Sequence, residues 1–335
     1  MQFQSLIAPP GNGQLVNGHF FQQACRELPA LLRKHRVADG VQLGDALLNL
    51  GRQLNRRLLQ TIKPYSRLTC RGYPLELAYV WPSNSFRFTV DLLPGGDLAT
   101  RMQRSLEAVG GSVHPIQESL FDRLCGWHYR HAGKYGAWLG ARSKEGKMSY
   151  KLYVEVPPGA PWQEEKRQRI GQAPPNGARL VMVGMDPLSG EVEYYYRIDR
   201  LNLRGLQPLM MRYGFPDRSR EFIDLLQAVS QRHIRFEIPS SNLGYSISFD
   251  ASEEAQTFTC YSVADSLLGG DSAIREAVLR LGRRMDWDMS LYDEATKPLA
   301  KGVHLRDSWH GMLGLVAARK GSVQFTIGWT PVPSK

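Results

Sequence analysis

Five times in succession, a run of alternating residues leads into a turn rich in glycine, proline, asparagine, aspartate, serine or charge, and a second alternating run follows. The pairs are Leu75–Val80 with Phe86–Leu93, Gly136–Ala141 with Ser149–Val156, Ala178–Met185 with Glu191–Ile198, Leu243–Phe249 with Gln256–Val263, and Gly311–Ala318 with Ser322–Trp329. Alternation with a period of two marks a strand with unlike faces, and two such runs joined by a short turn read as a hairpin. A repeated unit constrains a fold more than any single motif does. Ten antiparallel strands in hairpin order can close on themselves and so remove both sheet edges. The expected class is therefore α+β, a ten-stranded antiparallel β-barrel.

Helical stretches separate most of the hairpins: Ala99–Val109, Ile116–Leu124, Leu206–Tyr213, Ser219–Arg232, Ile274–Met285 and Leu291–Ala300. Two more precede them, Phe20–His35 and Leu43–Ile62; the second carries Leu43, Leu47, Leu50, Leu54 and Leu58 at helical spacing. Residues 1–64 are thus expected to be helices packed on a barrel of five hairpin–helix repeats over 65–330, the whole forming one integrated domain. The second strands have one apolar face, for example Phe86, Phe88, Val90 and Leu92, or Val192, Tyr194, Tyr196 and Ile198. That face would meet the helices. The opposite faces read Arg87-Thr89-Asp91, Lys151-Tyr153-Glu155, Glu193-Tyr195-Arg197, Thr257-Thr259-Tyr261 and Ser322-Gln324-Thr326. In a closed ten-stranded barrel such a face lines a lumen wide enough for ligands.

Several function classes are excluded by what the 335 residues lack. No run approaches the roughly 20 apolar residues of a bilayer span, and the N-terminus has no basic-then-apolar secretory pattern, so a cytoplasmic protein with no membrane partner is expected. There is no P-loop, dinucleotide fingerprint, nucleophile elbow, zincin string or Asp-Asp pair. The four cysteines lie far apart and are expected to be reduced. Cys125, His128 and His131 form a C-x-x-H-x-x-H string that reads better as a helix end than as a metal site, and no residue is assigned to a metal. The net charge of +10 is dispersed, with Arg56-Arg57 and Arg283-Arg284 on solvated helix faces. That suits a polyanionic small molecule better than nucleic acid, which is not expected as a partner.

Cations on three different hairpins, Arg87, Lys151 and Arg197, would converge in the lumen as a clamp for a diphosphate. Tyr153, Tyr195 and Tyr261 share those faces, and each offers a hydroxyl donor and a π face for a cation. Glu76 stands alternate to the apolar Leu75, Leu77 and Tyr79, so it points to the polar side, where a lone carboxylate suits a general base. Glu155 and Glu193, with Asp91 and Glu76, would make part of the lumen acidic and suited to a cationic acceptor.

This constellation resembles the ABBA, or PT-barrel, prenyltransferases. Leu75-Glu76 followed by Arg87 within Phe-Arg-Phe is similar to the family's base-then-arginine arrangement on the first hairpin, and Lys151-Leu152-Tyr153 to the Lys-x-Tyr of the second. Tyr261 falls where the fourth hairpin supplies a tyrosine. The run Leu75–Leu93 looks closest to the cyanobactin, peptide-modifying branch, whereas Glu193-x-Tyr195-x-Arg197 departs from the Arg-x-Lys-x-Tyr of the indole branch. The resemblance implies transfer of a dimethylallyl or geranyl group from its diphosphate to a side chain of a peptide, macrocyclic or linear. It assigns Glu76 as base and Arg87, Lys151, Tyr153, Tyr195, Arg197, Tyr261 and Gln324 to the diphosphate, with Glu155 and Glu193 near the acceptor. Mg²⁺ would be held mainly by the donor's own phosphates. A monomer is expected. Two rivals stand beside this reading: a PT-barrel enzyme acting on a free phenol or indole, and a non-enzymatic basic protein binding RNA through a continuous positive outer stripe.

Overall fold

The computed structural model describes residues 18–37, 39–58, 66–131, 133, 136–144, 146–158, 177–240, 242–301 and 308–332. Ten strands close into one barrel: β1 (Leu75–Trp81), β2 (Ser85–Val90), β3 (Ala137–Lys144), β4 (Lys147–Glu155), β5 (Arg179–Met185), β6 (Val192–Ile198), β7 (Leu243–Phe249), β8 (Ala255–Val263), β9 (His310–Ala318) and β10 (Gln324–Trp329). Each strand pairs antiparallel with its neighbour in the chain, and β1 closes the ring against β10. All five hairpin turns therefore lie at one end of the barrel, and the connections that carry helices lie at the other.

The second hairpin is tighter than its sequence suggests. β3 runs on to Lys144 and β4 starts at Lys147, with Gly146 at a positive φ of 77° in the turn between them. That left-handed conformation suits glycine and lets the two strands stay paired to their tips. The extension adds Arg142, paired with Arg87 across to β2, to the barrel wall.

Among the described residues, nine α-helices surround the strands: α1 (Gly18–Lys34), α2 (Gly40–Leu58), α3 (Leu98–Glu107), α4 (Glu118–Arg130), α5 (Leu203–Arg212), α6 (Ser219–Ser230), α7 (Ala264–Leu268), α8 (Asp271–Arg284) and α9 (Ser290–Thr296). The expected continuation of the second helix beyond Leu58 lies outside the described residues. The core is the shell between helices and barrel, not the barrel's centre. Leu28, Leu32, Leu43 and Leu47 of α1 and α2 join the same buried cluster as Leu75, Phe88, Leu139 and Val154 of the strands. Aromatic rings stiffen that shell. Tyr245 stacks between Tyr196 and Phe258, at 4.9 and 6.0 Å between centroids, and pairs of this kind are worth about 0.5–1.5 kcal/mol beyond their burial. Turning every apolar strand face outward leaves the alternate, polar residues to line the lumen.

Candidate active site

Small residues on one strand make room for long side chains from its neighbours. A Cβ on Gly140 of β3 would lie 2.7 Å from the Tyr153 ring, and one on Gly184 of β5 would lie 2.9 Å from the Lys151 stem. On Gly244 of β7 it would be 2.2 Å from the Tyr261 ring. Real side chains do not approach that closely, so these positions must stay bare for the neighbours to lie flat. Long side chains then cross a whole strand. Lys151 on β4 passes over β5 to reach Glu193 on β6. Tyr261 on β8 passes over β7 and donates its hydroxyl to the Tyr196 carbonyl at 2.9 Å. Arg87 on β2 passes β1, where its partner is Ala78, and donates to Thr326 Oγ1 on β10 at 3.4 Å.

Charges gather towards the hairpin-turn end. Lys151 Nζ stands 2.9 Å from Glu191 Oε1 and 2.7 Å from Glu193 Oε2, and Arg142 Nη2 is 3.2 Å from Glu191 Oε2. Burial works to raise the Glu193 carboxyl, but Lys151 and hydrogen bonds from Lys151, Ser246 and Tyr195 outweigh it and hold the group at about 2. Burial likewise opposes the Lys151 ammonium, and Glu193 and Glu191 outweigh it, so Lys151 stays charged. Arg87 and Arg142 are direct cross-strand partners on the lumen face. Their side chains reach in opposite directions, Arg87 to Thr326 on β10 and Arg142 to Glu191.

The tyrosines form a continuous row. Tyr153 and Tyr195 are 5.9 Å apart between ring centroids, and Tyr195 and Tyr261 6.2 Å. Burial raises the Tyr195 and Tyr261 phenols well above the ordinary value, so both are neutral. The Tyr261 hydroxyl is committed to the backbone, so that residue contributes its ring to the row.

Glu76 lies on the lumen face of β1 in a space that two glycines leave open. A Cβ on Gly311 of β9 would fall 1.9 Å from Glu76 Oε1, and one on Gly328 of β10 would fall 2.7 Å away. The β9–β10 register shifts here: Leu313 faces Ile327 and His310 faces Trp329, so Gly311 and Met312 together oppose Gly328 alone. This β-bulge brings Gly311 and the Met312 amide up to the Glu76 carboxylate. Desolvation raises the Glu76 carboxyl to about 7, with the Met312 amide and then Arg87 offsetting part of the rise. A carboxyl poised near neutral pH is suited to accept a proton.

The structure separates the other sequence candidates. Glu155 does not join Glu193. Its Oε2 accepts the Gly136 N–H at 3.0 Å, and its backbone carbonyl accepts from His128 Nε2, so it ties β3 and the end of α4 to the rim. Asp91 also leaves the lumen: β2 ends at Val90, and the Asp91 carboxylate binds Ser66 and Arg101 of α3, both at 2.7 Å. Glu193 is in the lumen but pairs with Lys151. Arg197 donates to Asn242 at 3.0 Å, at the helix-connection end of β6 and away from Lys151. Gln324 faces the lumen from β10, opposite Val316. Cys125 and His128 lie in the last turns of α4, and His131 caps it. Among the described residues no group of three His, Cys, Asp or Glu side chains could hold a metal.

Arg142, Glu191 and Trp138 were not among the sequence candidates. The Trp138-Gly140-Arg142 alternation, which carries the lumen face of β3 on past Ala141, is the sequence signal for Trp138 and Arg142.

A closed ten-stranded barrel with a polar lumen and helices outside is the fold of the ABBA prenyltransferases, and comparison with solved structures finds that fold. The apo form of the prenyltransferase PriB is similar with a TM-score of 0.71 at 16% identity, covering 93% of this chain and 96% of that one. The 5-dimethylallyl tryptophan synthase of Streptomyces coelicolor in complex with DMASPP and Trp gives 0.69 at 15%, covering 96% and 99%. AnaPT from Neosartorya fischeri gives 0.58 at 13%, covering 95% of each chain. No family model matches the sequence, and no curated protein matches it. At these identities the likeness carries the fold and does not separate the family's branches. Among the described residues no helix is long and apolar enough to cross a membrane.

Proposed function

We propose that this protein is an isoprenyl-diphosphate-dependent prenyltransferase acting on an aromatic acceptor. The observation that carries the reading is the set of lumen cations, Arg87 opposite Arg142 with Lys151 on the next strand, in a barrel of the prenyltransferase fold. Arg87, Arg142 and Lys151 hold the diphosphate and stabilise the charge it gains as the bond between its oxygen and the allylic carbon breaks. Stabilisation of that kind is usually the largest catalytic contribution. The departing diphosphate keeps the electron pair. The allyl cation left behind faces the row Tyr153, Tyr195 and Tyr261, whose π faces stabilise it and whose bulk keeps water out. The acceptor's nucleophilic atom forms the new bond to carbon, and its proton passes to Glu76.

PriB has been solved in a ternary complex with L-tryptophan and dimethylallyl thiolodiphosphate. That complex supports dimethylallyl as the group transferred and an aromatic ring as the receiver. A peptide acceptor is the second reading, favoured by the Leu75-Glu76 to Arg87 string of the first hairpin; the chemistry is the same, with the ring carried on a peptide side chain. The test is incubation with dimethylallyl and geranyl diphosphates against tryptophan, simple phenols and indoles, and linear and cyclic peptides, followed by mass spectrometry. A product heavier by one isoprenyl unit is expected with dimethylallyl diphosphate. If no acceptor gains mass and neither donor is hydrolysed, the reading is wrong.

A further inference from the structure

We infer that a buried Asp271–His310–Tyr292 chain, outside the lumen, is the positioning device that holds the β9 bulge against Glu76. The inference rests on the proposed role of Glu76 as base.

His310 is the first residue of β9 and is fully buried. Both of its ring nitrogens are engaged. Nδ1 is 2.8 Å from Asp271 Oδ1, and Nε2 is 2.8 Å from the Tyr292 hydroxyl. Asp271 opens α8 and binds more than the ring. Its carboxylate accepts the Trp309 and His310 backbone N–H groups, each at 3.0 Å, and the Ser308 hydroxyl at 2.9 Å. One carboxylate therefore fixes three consecutive residues, 308 to 310. The next two residues are Gly311 and Met312, the pair that forms the bulge and meets Glu76. On the other strand of the bulge, Trp329 packs edge-on against Tyr292 with centroids 5.6 Å apart. α8 and α9 thus grip both sides of the bulge from outside the barrel.

A regular β9–β10 pairing would present no spare amide, and the bulge supplies one where the carboxylate needs it. Placing that amide depends on residues 311 and 312 being held in the bulged register; Asp271 binds the residues just before them, the Trp309 carbonyl accepts from Thr330 N–H at 2.7 Å, and Met312 pairs with Val263 of β8. Among the described residues, the charged and titratable groups facing these residues are few. Arg87 faces Glu76 from β2, while β9 and β10 present Gly311, Met312 and Gly328 to it. Asp271 faces His310 from α8 and Tyr292 faces it from α9, with Arg275 beside Tyr292.

If the chain positions the bulge, weakening it removes the Met312 hydrogen bond from the Glu76 carboxylate. Glu76 must be ionised to take a proton, so losing a donor makes the ionised form harder to reach. The acid limb of the rate profile then moves to higher pH by about one unit, the worth of one hydrogen bond to a charged group. The variants are Asp271→Asn and Tyr292→Phe. The second removes only a hydroxyl and carries the test should the first fail to fold. For each, prenylation rate is measured from pH 5 to pH 9, with affinity for inorganic diphosphate and thermal denaturation on the same samples. The expected result is an acid limb displaced upwards, further for Asp271→Asn than for Tyr292→Phe, with diphosphate affinity unchanged. An acid limb that stays in place in both variants, with rates falling only as far as the folded fraction, overturns the proposal. Glu76→Gln runs beside them. If the parent's acid limb survives that change, Glu76 is not the base and the reading beneath the proposal fails; if the limb is lost there yet unmoved in the other variants, the positioning role fails alone.

Discussion

Replacing Lys151 by methionine removes the charge and keeps most of the apolar stem that lies across Gly184. Glu193, 2.7 Å from the ammonium, then loses its counter-ion, while Glu191, at 2.9 Å, keeps Arg142. Glu193 dominates the consequence, because its folded value of about 2 lies well below the ordinary 4.5. That difference corresponds to about 3 kcal/mol of stability, in line with the roughly 3–5 kcal/mol that follows removal of one partner from a buried pair. Since the folded value is the lower one, the contribution is fully present above pH 4.5 and is lost as the pH falls to about 2. Lys151→Met should therefore unfold at lower urea than the parent at pH 7, and the gap should narrow on acidification through that window. Adding Glu193→Gln should recover most of the stability, because the stranded charge is gone.

Donor binding should behave differently. Both the single and the double variant lack the ammonium, and one charged hydrogen bond is worth roughly 1.5–3 kcal/mol, or about 10–100-fold in affinity. Calorimetry with inorganic diphosphate on the parent, the single and the double variant separates the two effects. A double variant that binds diphosphate as tightly as the parent would show that Lys151 serves Glu193 and not the donor. A single variant as stable as the parent at pH 7 would refute the charge argument itself.

Glu76→Gln should leave diphosphate affinity intact and lower turnover by about 10²–10⁴-fold, the usual worth of a positioned base; the parent's rate should rise with pH through about 7 as the Glu76 carboxyl ionises. A loss below about threefold with the fold intact would remove Glu76 from the base role. Gly244→Ala should push the Tyr261 ring off its strand, since the new Cβ would lie 2.2 Å from it. The row would then open to water, so the share of donor ending as prenyl alcohol should rise several-fold, about the scale of one lost cation–π contact; an unchanged ratio of alcohol to prenylated acceptor would mean Tyr261 does not shield the cation.

The barrel was legible because its cause is local. Alternation and turn chemistry recur five times, and closure is the one arrangement that leaves no edge. The lumen face was legible for the same reason, since Glu76, Arg87, Lys151, Tyr153, Tyr195 and Tyr261 all follow from parity alone. What parity cannot give is where a side chain goes once inside. Lys151 reaches Glu193 only because Gly184 is bare, and Arg87 reaches Thr326 past Ala78. Such reaches depend on register between strands far apart in sequence. Glu155 shows the opposite failure. It has lumen parity, but it sits at the last position of β4, where the Gly136 amide is nearer than the lumen. The bulge at Gly311–Met312 was invisible as well: the extra residue reverses the phase of alternation there, but Gly311 carries no side chain to show it.

Glu191 sets the terms on which an anion enters. It binds both Lys151 and Arg142, and it is partly exposed at the turn end of β6. Glu193, by contrast, is locked by Lys151, by Ser246 at 2.5 Å and by Tyr195. Burial works to raise the Glu191 carboxyl, but Lys151 and Arg142 outweigh it and leave it below the ordinary carboxylate range, hence ionised at neutral pH. A diphosphate held by Arg87, Arg142 and Lys151 must share two of those cations with Glu191. Two like unit charges about 6 Å apart repel by roughly 3 kcal/mol at an effective dielectric constant near 20, and part of that is relieved if Glu191 swings towards solvent. Glu191→Gln removes the competing charge without changing the shape. Inorganic diphosphate should then bind about tenfold more tightly at low ionic strength, a gain of some 1.4 kcal/mol, and the advantage should shrink as salt screens the exposed end of the lumen. The opposite result, weaker diphosphate binding in Glu191→Gln at every salt concentration, would mean that Glu191 holds Lys151 and Arg142 in place for the donor and does not compete with it.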